Sequence, residues 1–172
     1  FRGLLDELGL YVFTMNGFPQ GDFHAEVVKS DVYLPDWTSR QRVEYTLKLA
    51  DLVSRIAPDG LQELSISTLP VAWGKSVGNL DAAITNLLEV ADELGRIERD
   101  SGRVVHLDLE PEPGCYLDRS EDVVSLFERI PETARRYLRI CHDVCHSAVM
   151  FEEQAEVVDR YRESGISIGK VQ

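Results

Sequence analysis

The stretch Val104-Val105-His106-Leu107-Asp108-Leu109-Glu110 decides the reading of this chain, because it is a short apolar run with an amphipathic segment on either side. Before it, Ala83 to Ile97 places Leu87, Leu88, Ala91 and Leu94 near one stripe, the spacing of a helix that buries one face. After it, Ser120, Glu121 and Asp122 combine a capping hydroxyl with acids in the first turn and open a further helix. A strand between helices predicts a parallel sheet with crossover connections.

The same alternation extends in both directions. Five runs read as strands: Tyr11 to Asn16, Leu64 to Leu69, Val104 to Glu110, Leu138 to Asp143 and Ile166 to Gln172. Arg40 to Ile56, with Val43, Leu47, Ala50, Leu52 and Val53 near one stripe, reads as a helix, and Phe151 to Glu163 as another that stops at Gly165. Phe1 to Leu8 looks like the tail of a helix that follows an earlier strand. The expected fold is α/β, a (β/α)8 barrel, with residues 1–172 forming part of a single barrel domain, because such a barrel closes with eight strands. One strand is expected before Phe1 and two or more after Gln172. Five parallel strands alone expose two sheet edges, so the expectation is that the remainder of the barrel, or a second copy in a homo-oligomer, covers them.

Composition narrows the function. With 172 residues, 44% of them hydrophobic, the chain can bury one sizeable core. A net charge of −12 opposes the basic surface that phosphate-backbone binding requires, so no nucleic-acid partner is expected. The three cysteines, Cys115, Cys141 and Cys145, are odd in number and lie in core-like stretches, which reads as reduced thiols in a cytoplasmic protein. No apolar run is long enough to span a membrane, and Phe1 to Leu10 lacks the order of a signal peptide.

Strand periodicity then places the chemistry. Leu107 and Leu109 face one way, into the helix layer, so His106, Asp108 and Glu110 face the barrel axis, with Glu110 at the mouth. In Leu138-Arg139-Ile140-Cys141-His142-Asp143 the same rule turns Cys141 and Asp143 inward and His142 outward. Carboxylates ending adjacent parallel strands stand about 5 Å apart in strand spacing, and a shared cation resolves their repulsion. His146 follows Asp143 by three residues, where a tight turn can return an imidazole nitrogen beside it. Glu110, Asp143 and His146 are therefore the candidate ligands of a divalent metal ion, and mixed oxygen and nitrogen donors fit zinc, manganese, cobalt or magnesium. His106 and Asp108 lie deeper and read as a hydrogen-bonded polar plug. His142 reads as structural, and Cys141 and Cys145 as core thiols.

The connection Gly17 to Ser39 is far longer than the two to six residues usual in such folds. Its mixture of turns, rings and charges, including His24 and Trp37, suits a lid or substrate wall bordering the mouth together with Asn16.

Leu109-Glu110-Pro111-Glu112-Pro113 resembles the Glu-Pro-Lys-Pro segment of xylose isomerases, whose glutamate ends the fourth strand and binds metal. Asp143-Val144-Cys145-His146 resembles the acid-x-x-His that ends their fifth strand, and also the Asp-Thr-Cys-His of endonuclease IV enzymes. This similarity to the xylose isomerase-like barrel superfamily implies that the five runs are strands two to six. Within it, Asn16-Gly17-Phe18-Pro19 to His24, Tyr33-Leu34-Pro35-Asp36-Trp37, Ser67-Thr68-Leu69-Pro70 and Gly169-Lys170-Val171-Gln172 look most like the EboE metabolite-traffic proteins. The chain departs from the xylose isomerases at Glu112, where they carry a lysine that assists hydride shift, and at Asn16, where a histidine is expected. The candidate catalytic residues are Glu112 and His24, and the candidate substrate contacts are Asn16, Trp37, Trp73 and Lys170. The resemblance implies a metal-dependent barrel acting on a small sugar-like or hydroxylated metabolite, as an isomerase or epimerase or in an EboE-type role. The alternatives are an endonuclease IV-like phosphodiesterase and a non-catalytic metabolite-binding barrel.

Overall fold

The computed structural model describes residues 1–20 and 29–172. Five strands form one parallel sheet in sequential order: β1 (Thr14–Asn16), β2 (Glu63–Thr68), β3 (Val104–Leu109), β4 (Leu138–His142) and β5 (Ile168–Val171). The helices are α1 (Arg2–Glu7), α2 (Arg40–Ile56), α3 (Leu80–Ser101), α4 (Ser120–Phe127), α5 (Val144–Val149) and α6 (Gln154–Glu163). The sheet curls into a half-barrel. In a flat sheet β2 and β5 would stand about 14 Å apart, three strand spacings. Here the Lys170 Nζ of β5 donates to the Ser67 Oγ of β2 at 3.3 Å. No helix among the described residues is long and apolar enough to cross a membrane.

The outward face carries the apolar core. Leu64, Ile66, Leu107, Leu109, Leu138 and Ile140 are buried beneath Val43, Ala50 and Val53 of α2 and Leu87, Val90, Ala91 and Leu94 of α3. Each such side chain stabilises the fold by roughly 1.5–3 kcal/mol. That layer offsets an inner face of unusual polarity, since barrel interiors are ordinarily filled by branched apolar residues. The buried Ser65 Oγ donates to Asp108 Oδ2 at 2.5 Å, and Asp108 Oδ1 lies 2.6 Å from His106 Nδ1, so the polar plug is present and internally hydrogen-bonded. At the amino end of the strands, Arg139 pairs with Glu63 at 3.1 Å and holds the Glu63 carboxyl below its usual range, chiefly through that hydrogen bond.

Element boundaries differ from the expected ones where side chains lack partners. Strand pairing begins at Thr14 rather than Tyr11: Thr14, Met15 and Asn16 pair with β2, and before them Phe13 contributes its carbonyl, which accepts from the Ser65 N–H at 3.1 Å. Arg119, not Ser120, caps α4: its backbone N–H donates to Asp122, while the buried Ser120 hydroxyl donates to Glu152. The helix expected over Phe151 to Glu163 is α6, which starts only at Gln154, and a short helix the sequence reading did not expect, α5, precedes it. Phe151, at φ 58° and 95% exposed, lies between them. Gly165, with φ 65°, follows the end of α6 as expected.

Trp37 corrects a larger expectation. It is fully buried, its backbone N–H donates to the Val71 carbonyl at 3.1 Å, and its backbone carbonyl accepts from Asn86 Nδ2 at 2.8 Å. It belongs to the core and not to a substrate wall. Arg42 fixes the same connection. Wholly buried, its guanidinium donates to the carbonyls of Pro35, Gly17 and Phe18 at 2.7, 3.0 and 2.9 Å, and burial lowers its pKa to about 10. Lysine keeps the charge but lacks the planar fork that serves three carbonyls at once. Arg42→Lys should therefore cost about 2 kcal/mol, the net worth of one or two charge-assisted bonds. Urea denaturation would measure it, and an unchanged midpoint would contradict the keystone role.

Exposed apolar side chains collect at both sheet edges. Leu10, Tyr11 and Phe13 lie beside β1, and Val144 and Val171 beside β5.

Candidate metal centre

Glu110 and Asp143 each follow directly on the strand that positions them. The Glu110 N–H continues the ladder to the Thr68 carbonyl at 3.0 Å, which fixes the side chain at the carboxyl end of β3. Asp143 divides its two oxygens between two tasks. Oδ1 caps α5, accepting from the N–H groups of Cys145 and His146 at 2.8 and 2.9 Å, while Oδ2 is left facing the mouth. The first turn of α5 then swings His146 back, with Nδ1 3.7 Å from Asp143 Oδ2, 3.8 Å from Glu110 Oε1 and 3.2 Å from the Pro111 carbonyl. One ligand atom from each of the three residues lies within 4.8 Å of the others.

Electrostatics fit a cation there. Glu110 is buried, and that burial pushes its carboxyl above the usual range. The Asp143 and Glu112 carboxylates push the same way, while His146 and Lys170 pull against them. Its hydrogen bond comes from the neutral Gln172 amide, Nε2 to Oε1 at 2.7 Å. A buried carboxylate beside a second one, without a directly bonded cationic side chain, is costly unless a charge is shared between them. The donor set therefore fits a divalent ion.

The other candidate residues divide. Lys170 lies on the inner face, directed there by a β-bulge between β4 and β5, and is held by Ser67. Asn16 stands at the end of β1 with its side-chain oxygen engaged by the Phe18 N–H at 2.9 Å. Trp73, half exposed, packs its ring 4.8 Å from that of Tyr33 in the connection after β2. Glu112 does not join the cluster of three donors. It sits beside the buried Tyr33 and Cys115, where burial raises the tyrosine and pushes the thiol up to about 12. His24 lies outside the described residues. His142 faces outward, its Nε2 2.8 Å from Gln154 on α6, as a structural residue does. Cys141 is buried on the inner face, whereas Cys145 is exposed and is not a core thiol.

Two features went unread in the sequence. Gln172 reaches both carboxylates, donating also to Asp143 Oδ2 at 3.5 Å, and its two-residue spacing from the inward Lys170 was the available signal. The pairing of Tyr33 with Trp73 had no local signal, because the two rings come from different connections.

Comparison with solved structures places this arrangement in a wider fold. The chain aligns over 99% of its length with an AP endonuclease, family 2, from Brucella melitensis, at TM-score 0.64 and 16% identity. The 3-keto-D-glucoside 4-epimerase YcjR from E. coli aligns over 99% of the chain at TM-score 0.57 and 19% identity, and a D-tagatose 3-epimerase-like protein over 99% at 0.60 and 18%. The chain shares its fold with these proteins. It spans 61%, 61% and 58% of their respective lengths. No protein-family profile matches the chain, and no curated protein does.

Proposed function

We propose that Glu110, Asp143 and His146 hold a divalent cation, Zn2+, Mn2+, Mg2+ or Co2+, at a site that isomerises or epimerises a small sugar-like or hydroxylated metabolite. The observation that carries this reading is the convergence of two carboxylates and an imidazole at the carboxyl ends of adjacent strands, where barrel enzymes place their chemistry. When bound, the cation would polarise substrate oxygens and stabilise the negative charge that develops on them. Lys170, with one of its three donors on Ser67, offers the others to a substrate oxygen. The exposed Trp73 face suits the apolar side of a sugar ring, and Glu112 is the carboxylate available to take a proton near it. Two structural neighbours, one named as a 3-keto-D-glucoside 4-epimerase and one as a D-tagatose 3-epimerase-like protein, are consistent with this substrate class. The EboE-like stretches favour a role in metabolite traffic or biosynthesis within it.

The AP endonuclease likeness favours a second reading, phosphodiester cleavage, but the −12 net charge opposes a DNA groove. We further infer that the open sheet edges are covered by more barrel strands or by a second copy, which would add donors to the mouth. Elemental analysis of dialysed protein and incubation with a panel of ketoses in D2O test the proposal together. About one ion per chain, and metal-dependent inversion or deuterium exchange beside a carbonyl, are expected. Failure to retain any ion would leave only a non-catalytic binding barrel, and cleavage of abasic-site duplex would favour the endonuclease reading.

A further inference from the structure

We propose that Gln172 is a fourth ligand of the cation, through its side-chain oxygen, an inference that rests on the metal reading of Glu110, Asp143 and His146. The amide nitrogen lies 2.7 Å from Glu110 Oε1 and 3.5 Å from Asp143 Oδ2. One group thus reaches both carboxylates, so an ion shared by them would lie within reach of that group too. The backbone fixes it there. The Gln172 N–H donates to the His142 carbonyl at 3.1 Å and its carbonyl accepts from the Val144 N–H at 2.9 Å, so the residues flanking Asp143 hold Gln172 on both sides.

Among the described residues the amide N–H groups are the only direct hydrogen-bond donors that a side chain gives Glu110. A divalent ion takes over that role, since it neutralises both carboxylates more fully than a neutral donor can. The amide then turns half over about its terminal carbon–carbon bond, exchanging NH2 for a carbonyl oxygen of nearly the same shape. The resulting set is two carboxylates, one amide oxygen and one imidazole. Three oxygen donors to one nitrogen suit Mn2+ or Mg2+ better than a nitrogen- or sulfur-rich set does.

Calorimetric titration of Mn2+ into the wild-type chain, Gln172→Met and Gln172→Glu tests the assignment. Methionine matches the length but offers no oxygen, so its affinity should fall at least about 10-fold, in line with the loss of a supporting group at a metal site. Glutamate restores an oxygen with added charge and should bind at least as tightly as wild type. If Gln172 were only a placeholder, removing its competing N–H groups would leave affinity unchanged or tighter in Gln172→Met, and that result would overturn the proposal. Absence of Mn2+ binding by the wild type would instead strike the three-residue site itself. The Glu variant keeps the assignment testable even if the Met variant folds poorly, since weaker binding by Glu would also refute it.

Discussion

Replacing Glu110 by glutamine is expected to weaken divalent-cation binding at least about 100-fold while raising the stability of the metal-free protein at neutral pH. The first effect follows from rank. Losing even a group that only supports a ligand typically costs 10–100-fold, and Glu110 supplies a charged oxygen directly. The second follows from burial, which together with the Asp143 and Glu112 carboxylates raises the folded-state pKa of Glu110 above its unfolded value. For such a group the stabilising contribution is fully present below the unfolded pKa and is lost as pH rises through the folded one. The metal-free wild type should thus lose stability over the window that begins near the ordinary glutamate value of about 4.3 and ends at the raised one. Glu110→Gln removes that loss. Thermal melts of both proteins in chelator at acid and neutral pH would show the difference. A variant less stable than wild type at neutral pH would mean that Glu110 is there for structure alone.

A methyl group at position 169 should be nearly as disruptive to folding as glutamine at 110 is to binding. Gly169 sits at the bulge of β5, and a Cβ built on it would lie 2.7 Å from both Asp108 Cγ and His106 Nδ1 and closer still to Asp108 Oδ1. Those atoms belong to the buried Ser65–Asp108–His106 network, so they cannot yield without breaking hydrogen bonds at 2.5 and 2.6 Å. Overpacking alone costs 1–3 kcal/mol, and an unsatisfied buried polar group adds a similar amount. Gly169→Ala should therefore destabilise the protein by about 4 kcal/mol. Denaturant unfolding checks the size, and a double-mutant cycle with Asp108→Ala checks the cause, because removing the carboxylate should recover much of the loss. Additive effects would place the strain elsewhere.

Much of this arrangement was legible from period-two alternation alone. His106, Asp108 and Glu110 turn inward because Leu107 and Leu109 must be buried under helices, and the same parity separates Cys141 from His142. Helix α5 escaped that reading because Val144–Val149 has no apolar stripe; only Ser147 within it is buried. Its start signal was Asp143, whose two oxygens allow it to cap a helix and face a cation at once. Trp37 misled because a ring in a long, turn-rich connection looks like a lid. Its burial depends on Val71 and Asn86, which reach it only through the tertiary fold. Val71 is itself held at φ 72°, an unusual conformation for a β-branched residue, in the turn that also carries Trp73 toward Tyr33. Side chains that meet from separate connections leave no periodic trace, which is why the Tyr33, Trp73 and Cys115 grouping is visible only in three dimensions.

Whether Glu110, Asp143 and His146 form one cation site is tested most directly by anomalous diffraction from crystals soaked in Zn2+. A single strong peak is expected at the carboxyl ends of β3 and β4. It should lie about 2.0–2.2 Å from one oxygen of each carboxylate and from a nitrogen of His146. Zinc bound only at other residues, with these three side chains free of it, would contradict the claim.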